Sequence, residues 1–367
     1  MFEDGGVIMF KQARPTIRLF VRVISLSCSA FLLGGALAEP SNARANEAAN
    51  DRQDTPSVID GEIAHNLEAH ESEVTSARFS PDGDKIVTAS WDGMVRIWSA
   101  QSGEMLRTLS GHSDLVTSAV FGPEGATVLT ASRDGTARIW DAQSGEPRIT
   151  LSGHASGVSA ASFNPTGTRV ITAGLDGGAR LWDAANGETL LSLDAHDDEM
   201  TSVSFDPSGA FILTAGRDGR AIVWSVENGT EVAVLAPHPG DVRHAEFSRI
   251  GDQVVTVYEE RDITDGTVIR ADGAARVWAW RDNALRSEMT LDGRNRVITA
   301  TFSPDGQMVA TAGRFGAAHI WDVEAATRIV TLGRHFDSVT ALSFSPDGDR
   351  LVTADGNGGV LIWQLTR

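Results

Sequence analysis

FSPDGDKIVTASWDGMVRIW, residues 79–98, holds in one stretch what the rest of the chain repeats. A Phe-x-Pro-Asp-Gly turn is followed by the run KIVTAS, an Asp-Gly turn and the run MVRIW. Runs rich in β-branched and aromatic residues, bounded by such turns, read as short antiparallel strands. The turn returns as FGPEG at Phe121, FNPTG at Phe163, FDPSG at Phe205, FSRIG at Phe247, FSPDG at Phe302 and FSPDG at Phe344. Tryptophan keeps the same beat at Trp98, Trp140, Trp182, Trp224, Trp278, Trp321 and Trp363, in steps of 42, 42, 42, 54, 43 and 42 residues. A fixed period of this size marks repeated supersecondary units. A lone four-stranded sheet cannot bury both faces, so seven of them must stack face to face around a ring.

The dipeptides Gly111-His112 and Gly153-His154, with Trp140-Asp141, Trp182-Asp183 and Trp321-Asp322, make residues 62–367 resemble the WD-repeat family. The resemblance implies an all-β, seven-bladed β-propeller of four-stranded antiparallel blades. It also implies how the ring closes, because the family's sequence unit begins with the outer strand of the preceding blade. EIAHNLEAH (62–70) aligns without a gap to EMLRTLSGH (104–112), so this first strand should complete the last blade beside VLIWQ. Such closure removes the exposed edges of an open ring.

Histidine, threonine, aspartate and tryptophan recur at fixed spacing: His70, Thr88, Asp92, Trp98; His112, Thr130, Asp134, Trp140; His154, Thr172, Asp176, Trp182; and His196, Thr214, Asp218, Trp224. A catalytic triad is needed once, whereas four matching sets read as scaffold. In the WD-repeat family such residues resemble a buried hydrogen-bond chain that links the His turn to the Trp strand. Later units depart from the set: His238 with Asp272 in blade five, Gly293 and Phe315 in blade six, His335 with Asn357 in blade seven. Partial or absent networks are expected there.

The long step contains VVTVYEERDITDGTVIRADGAARVW (254–278) and the sole tyrosine, Tyr258. Asp272 precedes Trp278 by six residues, as Asp134 precedes Trp140, so the excess is an insertion at about 260–271 between the second and third strands. The first Asp-Gly copy, DGTVIR (265–270), is left over, with a β-hairpin extension as one form it could take. DITDGTVIRADG (262–273) lacks the alternating ligand spacing and the terminal Glu of a calcium loop.

Family geometry places the Gly-His and Asp-Gly turns on one face of the disk, the top. The residues just before each Asp slot then ring the channel mouth: Trp91, Arg133, Leu175, Arg217, Ala271, Arg314 and Gly356. Arg and Trp are enriched at binding hot spots, and Trp91, Arg133, Arg217, Arg314 and, on the extension, Tyr258 are the expected partner contacts. The alternative is that the arginines simply pair with Glu73, Glu199 and Asp241 from the neighbouring turns.

The chain carries 31 Lys+Arg against 49 Asp+Glu, a net −18 that disfavours nucleic acid. No phosphate-cradling loop, nucleophile elbow or His-Glu-x-x-His is present, and the glycines are already used by blade turns. Lys11, Arg14, Arg18 and Arg22 precede VISLSCSAFLLGGALA, which ends in Ala36-Leu37-Ala38. A basic leader, an apolar run and a small-x-small end read as a signal peptide over 1–38, with an uncleaved membrane anchor as the alternative and Met9 as an alternative start. Cleavage after Ala38 removes Cys28, the single cysteine, and leaves no stable membrane insertion. Residues 39–61, without aromatic residues or apolar periodicity, read as a flexible linker.

The sequence therefore implies a monomeric, non-catalytic interaction scaffold in the periplasm or outside the cell. Its partner is a protein or peptide segment, and no cofactor or metal is called for. A glycan or small ligand stacking on Trp91 is the alternative, and a propeller-type enzyme a weaker one.

Overall fold

The computed structural model describes residues 60–366 apart from 236–237, 265–266, 282–283 and 292–295; the side chains at 60, 261–272 and 281–289 also lie outside the description. The expected signal peptide and most of the expected linker fall outside the described residues.

The described residues form seven four-stranded antiparallel sheets and no helix. Each sheet is a meander running from an inner strand outward. Blade one runs from Val74–Phe79 through Lys85–Ser90 and Val95–Ser99 to Met105–Leu109. The inner strands of blades two to seven are Val116–Phe121, Val158–Phe163, Met200–Phe205, Gly240–Phe247, Val297–Phe302 and Val339–Phe344.

Blade seven takes its outer strand from the other end of the chain. Asp60–Glu68 pairs antiparallel with Gly359–Thr366, from Asp60 opposite Thr366 to Glu68 opposite Gly359. Asp60 and Gly61, read as linker in the sequence, already belong to this strand. Leu67, Val352 and Ile362 of blade seven share a buried cluster with Val74, Ile86 and Trp98 of blade one, so the joint is sealed by apolar packing as well as by its ladder.

The core lies between blades, because each sheet has two apolar faces to bury. Trp140 of blade two clusters with Val87, Ile97 and Leu109 of blade one, and Trp182 of blade three with Leu129, Ile139 and Leu151 of blade two. Truncating such a buried tryptophan costs about 3–5 kcal/mol. The Asp-Gly turn of one blade, Asn357-Gly358 in blade seven, is also wedged under the His turn of the next: the His70 N–H donates to the Gly358 carbonyl at 3.2 Å. Gly358 has a φ of 91°, and a Cβ there would lie 2.0 Å from the His70 carbonyl oxygen, so glycine is required twice over.

In blade five the second and third strands, Gln253–Thr264 and Thr267–Arg281, outgrow the sheet together. Their ladder continues past Glu260 opposite Asp272 to Thr264 opposite Thr267. The excess residues thus form a two-stranded hairpin at the end of the blade that carries the Asp-Gly turn elsewhere.

Candidate functional site

The repeated polar set is a relay inside the blade. In blade two the Trp140 indole N–H donates to the Thr130 hydroxyl at 2.9 Å, Thr130 stands 2.7 Å from His112 Nε2, and His112 Nδ1 lies 2.8 Å from Asp134 Oδ2. A carboxylate only accepts, so Nδ1 carries the proton and Nε2 accepts from the threonine. Blade one repeats the relay through Trp98, Thr88, His70 and Asp92 at 3.0, 2.7 and 2.8 Å. Blade three uses Trp182, Thr172, His154 and Asp176 at 2.9, 2.7 and 3.1 Å, and blade four Trp224, Thr214, His196 and Asp218 at 2.9, 2.8 and 2.9 Å.

Burial pushes His70, His112, His154 and His196 below the ordinary imidazole value, against the raising effect of their aspartates. Burial alone would raise Asp134, but hydrogen bonds from Thr136, His112 and the Ser113 N–H outweigh it and hold the carboxyl at about 2. Both ring nitrogens of each histidine are engaged. Neither is free to take a proton from a substrate or to bind a metal.

Blade five keeps Trp278, Thr256 and His238, at 2.9 Å for each link, but His238 Nδ1 faces the Gly219 carbonyl of blade four at 3.4 Å. The Asp272 side chain lies outside the description. Tyr258, expected as an outlying partner contact, is instead 6% exposed. Its ring lies 5.3 Å from that of His238, with the Arg276 guanidinium 4.7 Å above it. The cause is register: Tyr258 pairs with Val242 and Ala274, inside the blade, and the extension begins only beyond it. Blade six retains Trp321 and Thr311 at 2.8 Å, and Phe315 in the Asp slot is 67% exposed. Gly293 lies outside the described residues.

Blade seven corrects the expectation of a partial network. His335 Nδ1 lies 2.7 Å from Asp355 Oδ2, His335 Nε2 2.7 Å from Thr353, and the Trp363 indole donates to Thr353 at 2.8 Å. The relay is complete, with its carboxylate supplied two residues before Asn357. The same carboxylate accepts from the Asn357 and Gly359 N–H groups at 2.9 Å, doing for the turn what Asp134 does for the Thr136 N–H.

At the mouth, the residues before each Asp slot are held by one repeated backbone bond. The N–H groups of Trp91, Arg133, Leu175, Arg217 and Gly356 donate to the carbonyls of Glu73, Leu115, Gly157, Glu199 and Ser338. Trp91 is 40% exposed, and Arg133, Arg217 and Arg314 are exposed. Arg217 is paired with Glu199 at 2.8 Å. Arg133 has no ion pair among the described residues.

Blade five differs from the expected reading. Glu259, opposite Asp241 in the ladder, takes the place expected of Ala271, whose side chain lies outside the description. Glu259 binds Arg243 Nε at 2.9 Å and Arg314 at 3.1 Å. Together with Glu73, Trp91 and Arg296 these residues line a hollow of about 320 Å³.

Below the mouth, the channel forms a cavity of about 480 Å³ walled by a mixture of hydroxyl and apolar side chains, among the former Thr75, Thr117, Ser159, Thr201 and Thr340. Sequence reasoning missed its exception. The inner strand of blade five, GDVRHAEF, sets Arg243 and His244 where its sisters place uncharged residues, mostly Thr, Ser and Ala, and Glu246 where they place Ser, Thr, Val and, in blade one, Arg78. Aligning the seven inner strands exposes this at once. Glu246 accepts from the Thr301 hydroxyl of blade six at 2.8 Å and lies 3.4 Å from His244 Nε2, in ion-pair reach though not aligned for a hydrogen bond.

Five stretches, 61–99, 103–141, 145–183, 187–225 and 326–364, match the family model described as WD40, WD domain, G-beta repeat, and together they cover more than half of the chain. The chain belongs to the WD-repeat family. A stretch of 42 residues is 50% identical to the guanine nucleotide-binding protein subunit beta of Saccharomyces cerevisiae, covering 11% of this chain and 10% of that protein. The chain thus spans about a tenth of the length of the curated relative it matches. Propellers of this family typically serve as non-catalytic protein-interaction scaffolds.

Proposed function

We propose that this ring is an interaction scaffold that captures a peptide or protein segment on its top face. Trp91, Arg133, Arg217 and Arg314 are the anchors, and Tyr258 is not among them. One observation carries the reading: an exposed tryptophan and three exposed arginines stand on one rim of a chain whose net charge is −18. Aromatic and guanidinium groups combine large contact area with directed donors. Arg133, which has no ion pair among the described residues, is open to a carboxylate of the partner, whereas Arg217 and Arg314 must exchange Glu199 and Glu259 for it. The basic, apolar N-terminal stretch supports a periplasmic or secreted site of action, which fractionation of cells expressing the full chain would test.

Trp91→Ala and Arg133→Ala should each lower capture of the partner from a periplasmic extract by about tenfold, leaving thermal stability within a few degrees of wild type. Unchanged capture by both variants would sink this reading.

A further inference from the structure

The lower half of the channel departs from the ring's symmetry at two guanidiniums. Arg78, on the inner strand of blade one, stands where blades three, four and seven carry Ser162, Ser204 and Ser343. It reaches past blade seven, contacting the Leu342 carbonyl at 3.5 Å, to lie 3.7 Å from Glu246 of blade five. Both contacts are long for a group with five donors. Glu246 does not depend on Arg78 alone, because Thr301 and His244 also face it.

The second guanidinium is Arg249. In the turn below the inner strand the other six blades place Pro81, Pro123, Pro165, Pro207, Pro304 and Pro346, and blade five alone places an arginine. Arg249 is exposed, has no ion pair among the described residues, and lines both the channel and an adjoining hollow of about 460 Å³ at its lower opening. Arg243 is not available here, since Glu259 holds it at the mouth. The Ser118 and Ser204 hydroxyls of the channel wall lack a hydrogen-bond partner among the described residues.

We propose that the lower channel binds a small oxyanion, a carboxylate or a phosphate, between Arg78 and Arg249. Two guanidiniums against one carboxylate leave a positive site in a chain of net −18, and low-dielectric walls concentrate that field. Guanidinium forks suit planar or tetrahedral oxyanions. The cavity volume lies within the usual range for small-molecule sites. Binding draws Arg78 off Glu246, which keeps Thr301 and His244. This site stands at the opposite end of the channel from the mouth and does not depend on what the mouth captures.

Isothermal titration of the full chain with inorganic phosphate and with succinate, at constant ionic strength set by chloride, tests the site. Wild type should bind at least one of them saturably. Arg78→Ser copies three sister blades and Arg249→Pro copies six sister turns, so both should fold; Arg249→Gln changes the charge without touching the backbone. Each should weaken binding by about tenfold, the loss of one charge-assisted contact, while Arg107→Gln on an outer strand leaves it unchanged. Tighter phosphate binding identifies a phosphoryl ligand and tighter succinate binding a carboxylate, and either supports the site. No saturable binding by wild type, or equal affinity in the channel variants, overturns it.

Discussion

His335 and Asp355 are joined at 2.7 Å from a position that holds no acid in any other blade. Its equivalents are Ser90, Ser132, Gly174, Gly216, Tyr258 and Gly313. The geometry of the glycines explains why an aspartate there works. A Cβ on Gly174 would lie 2.4 Å from His154 Nδ1, and one on Gly216 would lie 2.7 Å from His196 Nδ1. This position points straight at the imidazole. Where the usual aspartate fills the space, the position holds only a glycine or a small serine; where that aspartate is replaced by Asn357, the space is open to Asp355.

Asp355→Ala should therefore destabilise the ring by about 1–3 kcal/mol, the cost of leaving His335 Nδ1 and the turn N–H groups without their acceptor. Asn357→Ala, at the nominal Asp slot, should stay within about 0.5 kcal/mol of wild type. Urea unfolding followed by tryptophan fluorescence separates the two, and the reverse order would show that the relay runs through Asn357.

Thr130 and Thr311 occupy equivalent buried positions with unequal duties. Thr130 serves both His112 and Trp140, whereas Thr311 serves Trp321. Replacement by valine keeps the shape and removes the hydroxyl. We expect Thr130→Val to cost about 2 kcal/mol and Thr311→Val about 1 kcal/mol, since one and not two buried partners is stranded. Equal losses in thermal unfolding would refute the difference.

Stability should fall as the solution is acidified from neutrality. Burial, with the charge of Arg276 and against the pull of the Gly219 carbonyl, depresses His238 from 6.5 to about 4. Below pH 6.5 the unfolded chain takes up a proton that folded His238 refuses until about pH 4, so unfolding binds a proton throughout that window. The stabilisation is complete above the unfolded value, is lost as pH descends, and amounts to on the order of 3 kcal/mol for this residue. His70, His112, His154, His196 and His335 are depressed too and act in the same direction. Unfolding free energy measured between neutral pH and pH 4 should slope accordingly, and His238→Gln should reduce the slope by one proton.

Deleting residues 260–271 joins Glu259 to Asp272 and restores the spacing of Trp91 to Asp92 in blade one. Tyr258 opposite Ala274 and Glu259 opposite Asp241 lie on the retained side of the cut. The variant should fold with a thermal midpoint within a few degrees of wild type. A collapse of the transition would mean that the hairpin supports the ring.

The ring, its closure and the first four relays were legible because the sequence states each of them several times over. The strand at 62–70 aligned with its counterpart at 104–112, and four identical spacings ruled out a single catalytic set. What was missed lies in blades five and seven. Asp355 escaped because slots were counted along the chain, whereas the imidazole accepts a carboxylate from either of two Cβ directions. Tyr258 was placed on the extension because the insertion's length was known but its register was not. Glu259 and the charged wall at Arg243, His244 and Glu246 were passed over because regularity, so informative for the fold, draws attention away from the one repeat that breaks it.

The pairing of Asp60–Glu68 with Gly359–Thr366 sets an order on the birth of the molecule. A ribosome delivers the first of these strands at the outset and its partner at the end, and at about 5–20 residues per second the wait is on the order of tens of seconds. Six blades can assemble in that interval, each on the face of the last, while blade seven stays short of an edge. Completion is then a single late event that secures the earliest and latest segments together. A ribosome that stalls before residue 359 releases a curved stack with the apolar faces at both ends uncovered, the form in which this protein is most exposed to aggregation and to chaperones.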